Sequence, residues 1–233
     1  MTPTIHLLSA GAAQGLVKAL QPRLEADSGT VLQARFGAVG AMREALLAGE
    51  PCDLMIVTAA MVDALVRDGL LRGDSRASLG RVHTGIAVRH GEPRPDVASA
   101  AGLKAALLDA GAIYLPDPQR ATAGIHFADV LTRLGIHDRL ALGFRSYPNG
   151  ATAMREMAAS HTARAIGCTQ VTEINYTEGV DLVGVLPAPY ELATEYSAAV
   201  CARSARPELA AQWIALLAGA DTLALRAAGG FQA

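Results

Sequence analysis

Two short junctions near the N-terminus, each running from an apolar strand pattern into small residues that open a helix, most constrain the fold of this chain. The first spans residues 5–13 (IHLLSAGAA) and the second spans residues 32–40 (LQARFGAVG). Small residues at such a turn let a ligand approach the first-turn N–H groups of the helix, where the helix dipole favours an anion. Any α/β protein makes tight turns in this way, so two junctions are more informative than one.

Strand and helix patterns go on alternating after the first junction. The predicted elements are strands at 31–36 and 54–58 and helices at 14–25, 38–48 and 61–68. Right-handed crossovers place these strands in a parallel sheet with their carboxyl ends at one edge, where α/β folds bind ligands. The residues predicted at that edge are 9–12, 36–39 and 58–60.

A second region, with its own α/β alternation, follows a strand predicted at 81–88 and a Pro-rich segment at 89–95 that marks a lobe boundary. Its predicted helices begin at 103, at Thr122 as N-cap and after Asn149, and its strands span 112–115, 141–145, 163–168 and 181–186. Because Thr122, Asn149 and Thr169 precede helices, this region also offers anion-facing junctions.

The chain then returns to an extended pattern and ends in helices. The last predicted elements are a strand at 193–201 and helices at 207–217 and 222–227. This order predicts a two-lobed α/β protein that closes on its ligand by a hinge. Lobe 1 is predicted to comprise residues 1–84 and 195–233, and lobe 2 residues 85–194.

Composition limits the classes of partner. Of the 233 residues 18% are charged, the net charge is -2, and no Lys/Arg cluster or aromatic platform is present. We therefore expect no nucleic-acid partner. No apolar run reaches the length of a membrane span, which predicts a soluble protein without membrane insertion.

Location and metal content are predicted from the N-terminus and the cysteines. The strand pattern begins within a few residues of Met1, without a secretory leader, so the sequence as written favours the cytoplasm. A leader removed earlier would place the protein in the periplasm instead. Cys52, Cys168 and Cys201 are odd in number and far apart in sequence, which favours reduced thiols over a disulfide framework. We predict no metal and no cofactor.

Several segments, in this order and spacing, resemble type II periplasmic solute-binding proteins, and most of all the molybdate-binding branch. The segments that carry the resemblance are 7–16, 36–41, 49–56, 115–118 with 123–124, 163–168, 206–211 and 228–231. The resemblance covers nearly the whole chain. It implies a two-lobed fold with a hinge, a small anionic ligand in the cleft between the lobes, and an ABC-transporter permease as partner.

The chain departs from that branch at its ligand positions. Oxyanion binders of this group place hydroxyls at the first two junctions and a tyrosine in the far lobe. The matching positions here read Ala12, Ala38 and Val39, with Cys168 and Thr169 near the expected tyrosine. A tetrahedral oxyanion would lack hydrogen-bond donors there. We therefore predict a larger ligand with a carbon skeleton and a carboxylate, in preference to molybdate or tungstate.

Backbone N–H groups and a few polar side chains are the candidate donors. The predicted binding residues are Ser9, Gly11, Ala12, Ala38, Val39, Thr58, Arg120, Thr122, Asn149, Gly150, Thr169 and Gln170. The planar guanidinium of Arg120 suits a carboxylate, although a solvated surface arginine is an equal alternative. Asn149 fits either a ligand contact or a local turn. Ser9 fits either a ligand contact or a cap.

Two other functions remain open. Some proteins that resemble this family isomerise unsaturated carboxylic acids, aconitate isomerase being one, and such a reaction needs an acid/base group. His126, Asp117 and Cys168 are the candidates here, each with a structural alternative in packing or turn formation. The third function is a ligand-sensing domain that acts through another protein. Capture of the ligand is the first hypothesis.

Overall fold

The chain folds into two compact units, which the computed structural model describes over residues 2–233. Unit 2 is Val82–Ala193, and unit 1 consists of the segments before and after it. The predicted boundaries, 84/85 and 194/195, lie three residues and one residue further along the chain. The Pro-rich segment at 89–95, predicted as a lobe boundary, lies inside unit 2.

Helices and strands alternate along most of the chain. In chain order they are β1 (Thr4–Ala10), α1 (Gln14–Ser28), β2 (Val31–Gly37), α2 (Val39–Leu47), β3 (Leu54–Thr58), α3 (Ala59–Arg67), β4 (Ala77–Arg89), α4 (Ala100–Asp109), β5 (Ala112–Pro116), α5 (Thr122–Arg133), α6 (His137–Leu140), β6 (Phe144–Tyr147), α7 (Gly150–Ala159), β7 (Ala165–Gln170), α8 (Val171–Tyr176), β8 (Val180–Val185), β9 (Ala193–Val200), α9 (Pro207–Ala218) and α10 (Leu223–Gly229). The predicted α/β class is confirmed.

The sheet of unit 1 has the predicted parallel arrangement of its first three strands. β1 lies between β2 and β3 and pairs with both in parallel. β9 adds to β3 in antiparallel register, with Leu54 opposite Val200. The carboxyl ends of β1, β2 and β3 therefore lie at one edge, and Ala10 is opposite Gly37 there.

Asp53 joins three segments of unit 1 just before β3. One carboxylate oxygen accepts the His6 N–H at 2.9 Å, and the other accepts the Ser204 hydroxyl at 2.6 Å. The backbone carbonyl of Asp53 accepts the Cys201 N–H at 2.9 Å. Asp53 itself is buried, and the hydrogen bonds from His6 and Ser204 are partly buried.

We expect Asp53→Ala to lower the free energy of unfolding by about 1–3 kcal/mol, because it removes the acceptor of two partly buried donors and leaves a gap where a buried side chain packed. Urea unfolding followed by circular dichroism measures the loss. Asp53→Asn keeps one acceptor oxygen and should lose roughly half as much. A loss below about 1 kcal/mol for the alanine variant would contradict this role for Asp53.

Unit 2 is built on a mixed sheet. β5 pairs in parallel with β6 and β7, whereas β4 pairs antiparallel with β7 and β8. On one face, α4 and α5 bury apolar residues against the sheet, among them Leu107, Phe127 and Leu131. On the other face, α7 packs Met154 and Met157 against Tyr114.

Several predicted boundaries are wrong, and local backbone chemistry gives the reason for two of them. α1 continues through Ser28 instead of ending at 25, because the left-handed residue that ends it is Gly29, with φ 60°. Ala121, in extended conformation, is the N-cap of α5, so Thr122 is already helical. β4 begins at Ala77 instead of 81.

α3 begins at Ala59 instead of 61, and α4 begins at Ala100 instead of 103. Other differences concern short elements. The strand predicted at 141–145 is a 3-10 turn, Ala141–Gly143, followed by β6. α6, which spans only 4 residues, is not among the predicted elements, and the helix expected after Thr169 is α8, which spans 6 residues and has Gln170 as its N-cap. Elements this short carry little periodicity by which to recognise them.

Helix length and the placement of His, Cys, Asp and Glu side chains over residues 2–233 bear on membranes and metals. No single helix there is long and apolar enough to cross a bilayer; α9 and α10 satisfy length and composition only as a pair bent by 49°. Trp213 and Leu217 of α9 are fully buried in the protein. Within the same residues no three His, Cys, Asp or Glu side chains cluster as a metal site would require.

Candidate anion-binding junctions

The first junction of unit 1 leads from β1 through a 3-10 turn, Gly11–Ala13, into α1. This turn begins after Ala10, which has no side-chain acceptor, and the start of α1 also lacks a side-chain cap. The first-turn N–H groups of a helix have no intrahelical acceptor. Gly11, Ala12 and Ala13 are buried, so the 3-10 turn has no polar side chain and offers backbone N–H groups, and the buried Gln14 follows it as the first residue of α1.

The second junction leads from β2 into α2. Ala38 is the N-cap, in extended conformation and without a side-chain hydrogen bond, and its carbonyl accepts the Met42 N–H at 3.0 Å. Ala38 and Val39 are both buried. Since β1 and β2 are neighbouring strands, the two helix starts that lack side-chain caps lie side by side at one edge of the sheet.

Ser9 and Thr58 use their hydroxyl groups locally. Ser9 is fully buried, and its hydroxyl donates to the Ala10 carbonyl at 3.0 Å. The Thr58 hydroxyl accepts the Met61 N–H at 3.3 Å and caps α3. At this edge of the sheet, a side chain therefore caps the start of α3, whereas no side chain caps the first junction or the start of α2.

The α7 junction of unit 2 is different, because its N–H groups have internal acceptors. The Asn149 side chain accepts the Thr152 N–H at 2.8 Å, and the Asn149 carbonyl accepts the Ala153 N–H at 3.1 Å. The Glu173 carboxylate accepts the N–H groups of Gly150 and of Ala151, the latter at 3.3 Å. A carboxylate of the protein itself thus occupies this helix start.

Glu173 is the residue that sequence reasoning missed. It is buried and also accepts the Thr169 hydroxyl at 2.5 Å. Burial raises the pKa of the Glu173 carboxyl, and the bonds from Thr169 and the backbone partly oppose that rise. A Cβ on Gly150 would overlap Thr169 Oγ1 and Glu173 Oε2. Glycine at 150 is therefore needed to admit the carboxylate, and no local spacing signals this long-range pairing.

The other predicted residues of unit 2 lie in two places. Arg120 is exposed, and its N–H donates to Asp117 Oδ1 at 3.2 Å in the loop before α5. Thr122 lies in the first turn of that helix. Gln170 ends β7 beside Thr169 and is buried.

The three acid/base candidates are all engaged or enclosed. His126 Nε2 lies 2.8 Å from the Tyr190 carbonyl oxygen. Asp117 Oδ1 accepts the Gln119 N–H at 2.7 Å and shapes its loop. Cys168 is fully buried, and that burial raises the pKa of its thiol well above the ordinary value. None of these arrangements points to a proton-transfer role.

A cavity of about 210 Å³ opens elsewhere on unit 2, between β4 and the residues after α4. Val88, Ala106 and Ile166 line it, together with Arg94 and Arg164. Arg164 Nε is 3.3 Å from the Asp109 carboxylate. None of the predicted binding residues contributes to this cavity.

Comparisons with known proteins agree with this architecture. Aconitate isomerase from Pseudomonas sp is 28% identical over 224 residues, which are 94% of this chain and 83% of that protein. The periplasmic molybdate-binding protein of Azotobacter vinelandii superposes with a TM-score of 0.80 at 18% identity, covering 98% of this chain and 99% of its own. The sulfate-binding protein of Mycobacterium tuberculosis H37Rv superposes with a TM-score of 0.73 at 19% identity, covering 98% and 86%.

These structural neighbours confirm the two-lobed fold of periplasmic binding proteins, as the resemblance implied. A family model described as bacterial extracellular solute-binding protein matches residues 5–232, almost the entire chain. The chain belongs to the bacterial extracellular solute-binding protein family.

Proposed function

We propose that this protein captures a small organic anion and holds one of its carboxylates at the helix starts that begin at Gly11 and Val39. The observation that carries the proposal is the pair of alanine N-caps, Ala10 and Ala38, on neighbouring strands of unit 1. Backbone N–H groups and two helix dipoles favour a negative group there. Delivery of the captured anion to an ABC-transporter permease is the role that the family supports.

The side chains around these junctions favour a carbon skeleton over a bare oxyanion. Ala12, Ala38 and Val39 supply methyl groups where hydroxyl donors would be needed to surround four oxygens. An unpaired oxyanion oxygen in a buried site is costly, whereas methyl groups pack well against carbon. In unit 2, N–H groups at the start of α7 already donate to Glu173. We therefore place the ligand's carboxylate in unit 1.

The isomerase function is the second candidate, and the aconitate isomerase relative is the observation that favours it. That reaction removes a proton beside a carboxylate and returns one at another carbon. His126, Asp117 and Cys168 are held in structural contacts or buried. Capture therefore ranks ahead of catalysis, although both candidates require recognition of a carboxylate.

We expect a carboxylate, and neither molybdate nor tungstate, to stabilise the protein against heat. A ligand at 100 times its Kd adds about 2.7 kcal/mol to the folded state, which shifts Tm by roughly 5–10 °C in a chain of this size. The measurement is a thermal shift screen with cis-aconitate, trans-aconitate, citrate, molybdate, tungstate and sulfate. A larger shift with molybdate or tungstate would contradict the role given to the alanines.

Proton NMR in D₂O then separates capture from catalysis. The carboxylate with the largest thermal shift is incubated with the protein, and its vinyl and methylene signals are followed. Capture predicts an unchanged spectrum over many hours. Isomerisation would give signals of the other isomer, and reversible proton removal alone would give deuterium exchange.

A further inference from the structure

Cys52 and Cys201 meet in unit 1 although 149 positions separate them in sequence. Their sulfur atoms are 2.8 Å apart, with the Cys201 thiol donating to Cys52 Sγ. Both are free thiols. The sequence predicts reduced thiols that are far apart along the chain, and the fold brings two of them together as free thiols.

Backbone pairing holds the two cysteines in place. β3 and β9 run antiparallel with Leu54 opposite Val200, and this pairing extends one residue further where the Cys201 N–H donates to the Asp53 carbonyl at 2.9 Å. The Cys52 thiol also lies 3.2 Å from the Leu54 carbonyl oxygen. The sulfur atoms therefore meet at the end of an ordered ladder, not in a loose loop.

The two sulfurs differ in access to solvent. Cys201 is 2% exposed, whereas Cys52 is partly exposed. The hydrogen bond to Cys52, followed by burial, raises the pKa of the Cys201 thiol. A small oxidant therefore reaches Cys52 first, with Cys201 next to it as the resolving thiol.

We propose that Cys52 and Cys201 form a redox-active pair that closes to an intramolecular disulfide when the protein meets a low-molecular-weight disulfide. The Cys52 thiolate attacks one sulfur of the oxidant, whose S–S bond breaks and releases one thiolate. Cys201 then gives its proton to solvent and attacks Cys52 Sγ, releasing the second thiolate. Two protein thiols are oxidised by two electrons, and the oxidant is reduced to two thiols.

The bond would join the two chain segments of unit 1. These segments are separated in sequence by the whole of unit 2, Val82–Ala193. A cross-link that closes so long a loop removes much conformational freedom from the unfolded chain. The disulfide would therefore stabilise the sheet whose edge carries the two alanine N-caps, and it would form in an oxidising compartment and open in a reducing one.

The test compares the full chain equilibrated with oxidised glutathione and with dithiothreitol. We expect the oxidised protein to be lighter by two hydrogen atoms in intact mass and to give a peptide cross-linked between Cys52 and Cys201. Its Tm should rise by roughly 5–10 °C over the reduced form. Either Cys52→Ala or Cys201→Ala should abolish both the mass change and the Tm difference.

Cys168→Ala is the matched control, because that thiol is fully buried in unit 2 and should leave the redox-dependent shift intact. Two outcomes would overturn the proposal. One is that Cys52 and Cys201 are both still alkylated, after denaturation, in protein equilibrated with oxidised glutathione. The other is a cross-linked peptide that contains Cys168 or joins two protein molecules.

Discussion

Replacing Ala38 by aspartate is expected to weaken carboxylate binding by about 100-fold or more while the protein stays folded. An aspartate at this N-cap accepts an N–H of the first turn of α2 and places a negative charge at the helix start. The ligand then loses charge-assisted hydrogen bonds of about 1.5–3 kcal/mol and meets a like charge. Each 1.4 kcal/mol is about a tenfold change in Kd.

Stability separates this effect from misfolding. Aspartate is a good N-cap and alanine a poor one, and this gain offsets the cost of placing a carboxylate at the buried position of Ala38, so Ala38→Asp should keep the free energy of unfolding within about 1 kcal/mol of the original protein. Isothermal titration with the carboxylate of largest thermal shift measures the loss of affinity, and urea unfolding measures stability. Binding that remains within threefold of the original protein would show that the start of α2 does not hold the ligand.

Two further variants test whether charge and place are both required. Ala38→Ser caps α2 without a charge and should weaken binding less than aspartate does. Ser99 is the N-cap of α4, and its hydroxyl accepts the Gly102 N–H at 3.0 Å. Ser99→Asp replaces this cap by a charged one. It adds the same charge to a helix start in unit 2 and should leave affinity unchanged.

The sequence predicted the sheet of unit 1 well because the signals there are local. β1 and β3 are apolar runs bounded by turn residues, and β3 was predicted with its observed bounds, Leu54–Thr58. Short strands joined by helices leave parallel pairing as the simplest arrangement. The position of the small residues at 11–13 and 38 could therefore also be predicted, because they lie where strands end and helices begin.

What the sequence did not reveal are pairs of residues that only the folded chain brings together. Glu173 reads as an ordinary acid in the first turn of a short helix, yet its carboxylate caps α7 from 22 positions away. Cys52 and Cys201 are separated by the whole of unit 2. Such contacts depend on strand order and helix packing, and no local sequence pattern indicates either of these.

Glu173→Ala is expected to lower the free energy of unfolding by about 3 kcal/mol, the largest stability loss that we predict in unit 2. The carboxylate accepts the Thr169 hydroxyl and the N–H groups at the start of α7. Its removal leaves these buried donors unsatisfied and opens a cavity, and both effects destabilise the folded state. Urea unfolding of unit 2, followed through a probe such as Tyr114 fluorescence, measures the change. A loss below about 1 kcal/mol would contradict the capping role.

Glu173→Gln tests the electrostatic part, because it keeps the shape and one acceptor oxygen without a charge. Burial raises the pKa of the Glu173 carboxyl above its ordinary value of 4.5, so the folded protein binds this proton more tightly than the unfolded chain does. The resulting stabilisation is fully present below pH 4.5 and is lost as the pH rises through the pKa of the folded state. The original protein should therefore lose stability relative to Glu173→Gln as the pH rises from 4.5 through the pKa of the folded state, and the two curves should run parallel on either side of that range. If the original protein instead gained stability relative to the glutamine variant as the pH rose, the bonds from Thr169 and the α7 backbone would outweigh burial. The group would then act as a fixed carboxylate with a lowered pKa.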